Sequence, residues 1–176
     1  AMDPNDKQVM PPGVTVQNLT LMTDTLDYLI RFQNTGNDTA FKVVIVDTLD
    51  ADLELSSFEV IESSHSIMTE LEGNGVVTFT FNNILLPDSN VNEPGSHGHV
   101  RYRIRVKNGL PDATPVNNTA YIYFDFNEAV VTNTTLNTMV YILNVGEGTL
   151  ENPLQPVLYP NPFSEIAVLH FENEIA

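Results

Sequence analysis

The stretch that decides the fold spans residues 100–107 and reads Val100-Arg101-Tyr102-Arg103-Ile104-Arg105-Val106-Lys107. Apolar residues and one tyrosine occupy every second position, and four of the chain's seven cations occupy the others. Because successive side chains of a β-strand point to opposite faces, the alternation predicts a strand with one face in the core. The opposite face carries a row of cations, called here the cationic ladder, made of Arg101, Arg103, Arg105 and Lys107.

Comparable alternating segments recur from Val14 to Leu143, with turn-forming residues between them. Asn34-Thr35-Gly36-Asn37-Asp38 and Gly73-Asn74-Gly75 supply residues that tolerate positive φ, as hairpin turns require. The usage of 19 Val, 17 Thr and 19 Asn also favours strands and turns over helices. The pattern predicts an all-β fold, an antiparallel β-sandwich of about 8–10 strands with Greek-key connections.

A second alternating stretch, residues 119–127, predicts a further core strand. Ala120, Ile122, Phe124 and Phe126 form its predicted core face, and Tyr121, Tyr123 and Asp125 form the other.

The composition excludes several classes of function. The 176 residues contain 23 acids and 7 bases, a net charge of −16, and neither Cys nor Trp. Such a charge disfavours nucleic acid and anionic membrane surfaces as partners, because both are bound through clustered cations. Without Cys there is no disulfide, thiolate nucleophile or Cys-ligated metal. No apolar run has the roughly 20 residues that a membrane span needs.

Four segments are predicted along the chain. Residues 1–13 are predicted to be a tag or linker, because Ala1 before Met2 is typical of a cloning remnant. Residues 14–142 form the sandwich. Residues 143–156 form an acidic linker with Pro153 and Pro156, and residues 157–176 form a separate C-terminal segment.

The cationic ladder has two interpretations. Like charges on one strand face repel each other unless they are compensated, so the ladder could bind an anionic ligand such as an acidic polysaccharide, with Tyr121 and Tyr123 beside it. Alternatively, neighbouring strands supply Asp and Glu opposite each cation, the usual arrangement in sheets.

An acidic run could hold calcium. Asp47, Asp50, Asp52 and Glu54 place four carboxylates within eight residues at a strand end, and Ca²⁺ prefers such oxygen ligands. The run lacks the spacing of an EF-hand loop, and a solvated acidic turn is the alternative. No other cofactor is expected.

Signals for catalysis are missing from the sequence. There is no Gly-x-Ser-x-Gly elbow, no recognisable triad and no Gly-rich phosphate loop. His97-Gly98-His99 offers at most two metal ligands and no third nearby in sequence. The chain is therefore expected not to be an enzyme.

Lys42 lies between Phe41 and Val43 in an apolar strand. One interpretation is a Lys–Asn isopeptide bond, like those of bacterial adhesin sandwiches, with Asn117 or Asn118 as its partner and a carboxylate as proton carrier. The alternative is a lysine that extends to solvent from a peripheral strand.

Residues 28–49 resemble the conserved repeat domains of Bacteroidetes-type secreted and surface proteins. In these domains, one strand ends in Asn-Thr-Gly, here Asn34-Thr35-Gly36, and the next ends in Asp-Thr-Leu, here Asp47-Thr48-Leu49. The closing partner is the stretch from Asn118 to Asn127, followed by Thr132-Asn133. The resemblance implies an Ig-like, non-catalytic sandwich.

The segment Val157-Leu158-Tyr159-Pro160-Asn161-Pro162-Phe163-Ser164 resembles the start of the C-terminal sorting domain read by the type IX (Por) secretion system. The motif residues are Tyr159, Pro160, Asn161 and Pro162. The resemblance implies the type IX machinery as a partner. It also implies export to the outer-membrane surface of a Gram-negative bacterium, or release from it.

Three Asp-Thr-aliphatic triplets resemble the O-glycosylation acceptors of the same bacteria. Their threonines are Thr25, Thr39 and Thr48. Strand-end turns favour the same residues, which is the alternative explanation.

Together, these features predict a structural or adhesive spacer module of an exported protein, with glycans or other surface proteins as further partners. The alternative from another class is an accessory carbohydrate-binding module of an exported hydrolase. A third is a spacer that holds an upstream enzyme clear of the membrane.

Overall fold

The computed structural model describes residues 4–142 and, beyond them, the backbone of residues 157–159 and 168–170. None of these described residues is helical, so the predicted all-β class is confirmed. The strands of residues 6–140 are β1 (Asp6–Met10), β2 (Leu19–Leu21), β3 (Thr25–Gln33), β4 (Ala40–Thr48), β5 (Leu53–Ser63), β6 (Met68–Leu71), β7 (Val76–Leu86), β8 (His97–Val106), β9 (Thr114–Asn118), β10 (Ala120–Phe124), β11 (Val130–Val131) and β12 (Thr135–Val140). Within the described part of the chain, no helix meets the length and hydropathy needed to cross a membrane.

These strands form three sheets. One has the order β1-β3-β8-β5 and another the order β11-β10-β4-β7-β6. A smaller sheet has the order β2-β12-β9, in which β2 runs parallel to β12 and β9 runs antiparallel to it. All pairings in the two larger sheets are antiparallel, as predicted for the sandwich, and the β2–β12 pair is parallel.

The two larger sheets share one hydrophobic core. Ring contacts join them: Phe32 of β3 lies 5.1 Å from Phe81 of β7, and Tyr102 of β8 lies 5.7 Å from Phe79, measured between ring centroids. The alternation in β8 is as predicted, because Val100, Tyr102, Ile104 and Val106 are buried. This alternation confirms the sandwich and fixes which face of β8 points outward.

One close contact on the inner face of β8 requires glycine. Gly98 pairs with Phe32 on β3, and the Phe32 ring lies across it. A Cβ atom at Gly98 would stand 2.2 Å from Phe32 Cζ. The phenyl ring occupies the space that any other side chain would need.

The sandwich begins before the predicted residue 14. Asp6–Met10, within the segment predicted to be a tag or linker, forms β1 and pairs with β3 from Asp6↔Arg31 to Met10↔Asp27. The sequence signal is weak because Asp6, Lys7 and Gln8 give the strand little apolar alternation, although Val9 and Lys7 are both buried. The described sandwich also has twelve strands, more than the 8–10 predicted.

The predicted core face of β10 is correct for Ala120, Ile122 and Phe124, which are buried, and wrong for Phe126. Phe126 is fully exposed because the strand ends at Phe124 and Asp125 takes a positive φ of 52°. The Asp125 carboxylate instead accepts hydrogen bonds from the backbone N–H groups of Phe41 and Lys42.

The chain divides into two compact units, Ala1–Leu143 and Asn144–Ala176. In the second, β13 (Val157–Tyr159) pairs antiparallel with β14 (Val168–His170). Tyr159 of the sorting motif therefore ends β13. The predicted linker at 143–156 and the motif residues Pro160, Asn161 and Pro162 lie outside the described residues.

Candidate functional site

The most unusual group in the sandwich is the side chain of Lys7, which is completely buried. Its Nζ donates to Asp47 Oδ2 in a very short contact and to Tyr102 Oη at 3.2 Å. The backbone at Lys7 is held by Asn133, whose side chain accepts from Lys7 N and donates to Lys7 O, each at 2.9 Å. The lysine is therefore fixed in position and directed into the core.

Asp47 receives this amine from the opposite sheet. It lies on β4 with Val43 and Ile45 on the buried face of the strand, and its side chain is fully buried. Oδ2 accepts from Lys7 and, at 2.7 Å, from Tyr102 Oη. Oδ1 accepts no hydrogen bond from any residue that the structure describes.

Asn118, at the end of β9, brings a carboxamide into the same cluster. Its Nδ2 donates to Tyr102 Oη at 2.9 Å, and its Oδ1 is buried without a hydrogen-bond partner among the described residues. The Tyr102 hydroxyl thus donates once and accepts twice, its full capacity. We call Lys7, Asp47, Tyr102 and Asn118 the buried lysine cluster; its members come from all three sheets.

The walls of the buried lysine cluster are aromatic. The rings of Tyr28 and Tyr102 stack with centroids 5.2 Å apart, and Lys7 Nζ lies 4.9 Å from the Tyr28 centroid. Phe58 and Phe79 pack against the Tyr102 ring at 5.2 and 5.7 Å. These rings exclude water, so charges inside the cluster are costly and their interactions are strong.

Burial shifts the protonation of the cluster. Loss of hydration lowers the pKa of Lys7 to about 8, although the nearby Asp47 carboxylate acts in the opposite direction. Burial, and then Asp47, raise the pKa of Tyr102 well above its usual value. Tyr102 therefore stays protonated as a hydrogen-bond donor, whereas Lys7 is unusually ready to give up its proton.

Sequence reasoning missed Lys7 and interpreted Asp47 differently. The alternation along the strands could have found part of the cluster. Asp47 lies on the same strand face as Val43 and Ile45, and Asn118 is two and four residues before the core residues Ala120 and Ile122. A polar residue at a core position of a strand needs a polar partner in the interior. Lys7 itself has no such signal beyond the buried Val9 two residues later.

Lys42, the lysine singled out from the sequence, is exposed. The core face of β4 is formed by Val43, Ile45 and Asp47, so Lys42 points to the opposite side. Of the two interpretations of Lys42, the structure therefore agrees with the lysine that extends to solvent and excludes the isopeptide bond at this position. Of its two proposed partners, Asn117 is exposed and Asn118 is buried in the cluster of Lys7.

The cationic ladder is compensated by acids on both neighbouring strands. Arg101 makes two hydrogen bonds to Asp27 of β3, at 2.7 and 2.9 Å. Arg103 makes two to Glu59 of β5, at 2.9 and 2.6 Å. Arg105 pairs in register with Glu54, and Lys107 Nζ donates to the carbonyl of Ala51. Of the two interpretations of the cationic ladder, the structure therefore has the second, in which neighbouring strands place acids opposite the cations.

Tyr121 and Tyr123 do not lie beside the ladder. They belong to β10 in the five-stranded sheet, whereas the ladder is on the outer face of the four-stranded sheet. A hollow of about 260 Å³ does lie on the ladder's face, between Leu29, Met10 and Arg101. The predicted ligand strip of cations and tyrosines therefore does not form one surface.

The acidic run does not converge on one point. Asp47 is buried against Lys7. Asp50 accepts from the backbone N–H groups of Asp52 and Asn117, and Glu54 accepts from Ser56. Within the described residues, no group of three or more His, Cys, Asp or Glu side chains is arranged to hold a metal ion. The separation of Asp47 from the other three corrects the four-ligand calcium hypothesis.

The three candidate glycosylation sites differ in exposure. Thr25 and Thr48 are exposed and Thr39 is half-buried. All three stand at or beside strand ends. Their modification stays a prediction, which glycopeptide mass spectrometry of protein from its source organism would check.

Sequence comparison finds one family. A sequence model of the domain of unknown function DUF7619 matches residues 3–138, most of the chain. No curated protein matches the sequence.

Solved structures with a similar fold include three bacterial proteins. The C-terminal domain of the Streptococcus agalactiae AgI/II polypeptide BspA has a TM-score of 0.57 and 14% identity, covering 78% of this chain and 50% of that one. BcpA, the major pilin subunit of Bacillus cereus, has a TM-score of 0.53 and 18% identity, covering 76% of this chain and 39% of that one. The Enterococcus faecalis MSCRAMM ACE, which binds its ligands by the collagen hug model, has a TM-score of 0.50 and 10% identity. The match covers 81% of this chain and 52% of that one.

These likenesses show the fold and confirm the predicted Ig-like sandwich. The chain spans about half the length, or less, of each of the three proteins.

Proposed function

We propose that this chain, which belongs to the DUF7619 family of domains of unknown function, is a non-catalytic structural and adhesive module of an exported surface protein. The observation that carries the proposal is the position of the buried lysine cluster. Lys7 and Asp47 have no exposed side-chain surface and Asn118 is 2% exposed. No substrate can reach these groups, so their chemistry acts on the domain itself.

The fold supports a surface role. A major pilin subunit and an MSCRAMM that binds its ligands by the collagen hug model have a similar fold. The outer ion pairs and the net charge of −16 suit a module with a solvated surface.

One end of the sandwich offers an adhesive contact to a protein ligand. Phe41 and Phe126 are exposed, and both line a hollow of about 330 Å³ together with Phe124. Exposed aromatic side chains beside a hollow are typical anchors of protein interfaces. We assign the adhesive contact to Phe41 and Phe126.

Binding of the immobilised 176-residue chain to extracellular-matrix proteins and to a glycan array tests this function. We expect binding to a protein, loss of that binding in Phe126→Ser, and retention in Val16→Ser, an equally exposed apolar residue that does not line the hollow. Binding only to glycans would favour the carbohydrate-binding alternative. Binding to neither class would contradict the adhesive role.

The carbohydrate-binding alternative has less support. It requires an aromatic surface beside the cationic ladder, and Tyr121 and Tyr123 lie on the other sheet. Arg101 and Arg103 of the ladder each make two hydrogen bonds to an acid, so they are already paired and not free for an anionic ligand.

Export by the type IX system is the second part of the proposal. It is supported by the sequence Tyr159-Pro160-Asn161-Pro162 and by the resemblance of its surroundings to a sorting domain. In a Gram-negative source organism, replacing these four residues by alanine in the complete gene is expected to leave the protein in the periplasm. Unchanged arrival at the outer-membrane surface or in the medium would contradict the proposal.

A further inference from the structure

We propose that Lys7 and Asn118 become joined by an intramolecular isopeptide bond, formed inside the folded sandwich with Asp47 as the proton carrier. The bond would link β1 to the end of β9 and so connect the four-stranded sheet to the three-stranded sheet. The argument rests on the arrangement of an amine, a carboxyl group and a carboxamide in one dry cluster.

The amine is the nucleophile. Lys7 Nζ is fully buried, held by Asp47 and Tyr102, and surrounded by the rings of Tyr28 and Tyr102. A charged ammonium is costly in such surroundings, and its proton can pass directly to Asp47 Oδ2, with which it is in contact. The neutral amine that remains has the free electron pair needed to attack a carbonyl carbon.

The carboxamide is the electrophile. Asn118 Nδ2 is held by Tyr102 Oη, the same atom that contacts Lys7 Nζ and Asp47 Oδ2. One hydroxyl therefore positions all three reacting groups. This role makes Tyr102 a positioning residue.

Two unpaired oxygens complete the arrangement. Asp47 Oδ1 and Asn118 Oδ1 are both buried, and neither has a hydrogen-bond partner in the described part of the chain. A neutral Asp47 can donate a hydrogen bond, and Asn118 Oδ1 is an acceptor in the same cluster. Such a bond would satisfy a buried acceptor and polarise the Asn118 carbonyl for attack.

The step balances without an oxidant or a co-reactant. Lys7 transfers one proton to Asp47, and the Nζ electron pair forms a bond to Asn118 Cγ. The bond between Cγ and Nδ2 then breaks. The departing Nδ2 takes one proton from Nζ and leaves as ammonia. During the addition, the proton on Asp47 is donated as a hydrogen bond to the carbonyl oxygen of Asn118. After the addition, the same proton can convert ammonia to ammonium.

Asn118 fits the acceptor role better than Asp47. A direct Lys7–Asp47 amide would need attack on a carboxylate, whose negative charge repels the nucleophile and which must lose water. The amide of Asn118 is uncharged. The two products differ in mass, because one loses ammonia and the other loses water.

Intact-mass spectrometry of the complete 176-residue chain tests the bond. We expect a mass below that of the sequence by about 17 Da, the mass of ammonia. Trypsin cannot cut after an acylated lysine, so residues 1–31 should remain attached to residues 108–176 as one branched product. A mass equal to that of the unmodified sequence, or a mass lower by about 18 Da, would overturn the Lys7–Asn118 bond.

Variants separate the roles. Asp47→Asn is expected to have its full sequence mass, and the matched control Lys42→Ala, at an exposed lysine, is expected to keep the deficit. A deficit that persists in Asp47→Asn would overturn the role of Asp47. The branched peptide from the unaltered chain decides the bond itself even if a variant does not fold.

Discussion

The two faces of the sheet formed by β1, β3, β8 and β5 carry ion pairs of opposite kinds. On the outer face, Arg101 and Arg103 pair with acids and remain 43% and 50% exposed. On the inner face, Lys7 pairs with Asp47 and neither side chain is exposed. Water screens the outer pairs, whereas the inner pair has only protein around it. Similar charges therefore act as screened surface contacts on one face, whereas on the other they form the dry cluster for which we propose a reaction.

Removing the inner carboxylate should have the largest effect. Asp47→Ala leaves the Lys7 amine buried without its acid and prevents the isopeptide bond, so we expect a loss of about 3–5 kcal/mol in the free energy of unfolding. Denaturant titration measures it. Asp27→Ala is the matched control on the outer face and should lose far less. Equal losses in the two variants would contradict the comparison.

Adding one methyl group to the inner face should have the next largest effect. Gly98→Ala would place Cβ 2.2 Å from Phe32 Cζ, and we expect a loss of about 3 kcal/mol, as for an overpacked core. Gly73→Ala is the control, because a Cβ atom there meets nothing within 4 Å. Thermal or denaturant unfolding of both variants checks this, and a neutral Gly98→Ala would mean that the inner face is loosely packed.

The pH dependence of stability should distinguish a bonded from an unbonded Lys7. In Asn118→Ala the amine stays free, and burial lowers its folded pKa to about 8. Between pH 8 and about 10.4, the unfolded state then binds more protons, so stability rises with pH by about 2–3 kcal/mol.

In the unaltered chain Lys7 is acylated and does not titrate, so the rise should be absent. Denaturant titrations of the two proteins at pH 7.5, 9 and 10 provide the comparison. The same rise in both proteins would mean that Lys7 is free in each.

Breaking an outer ion pair should have the smallest effect. Arg103→Ser removes the pair with Glu59, in which both side chains are at least half exposed. We expect a loss below about 1 kcal/mol, larger at low salt than at high salt because ions screen exposed charges. Unfolding at two salt concentrations measures it. A salt-independent loss above about 2 kcal/mol would show that the outer face resembles the inner one.

Much of the sandwich was predictable because alternation reports burial directly. The strand at residues 100–107 has the predicted inner and outer faces. Acids opposite Arg101 and Arg103 are one of the two arrangements that the sequence predicts for the cationic ladder. The end of β10 was not predictable from alternation, because the turn depends on the conformation of Asp125 and on its hydrogen bonds to β4.

The buried lysine cluster could not be predicted as a unit. Its members are distant in sequence, and only the pairing of β1 with β3 brings Lys7 over Asp47. The sequence suggested isopeptide chemistry but pointed to Lys42, because an apolar neighbourhood in sequence does not reveal which face of β4 is buried. Asp47 was interpreted as one of four surface acids for the same reason.

Fragmentation of the intact protein in the mass spectrometer tests the central claim most directly. A bond between Lys7 and Asn118 closes residues 7–118 into a loop, so one backbone cleavage inside the loop cannot separate two fragments. We therefore expect separated backbone fragments only from cleavages before residue 7 or after residue 118. Abundant fragments of unmodified mass from within residues 7–118 would contradict the account.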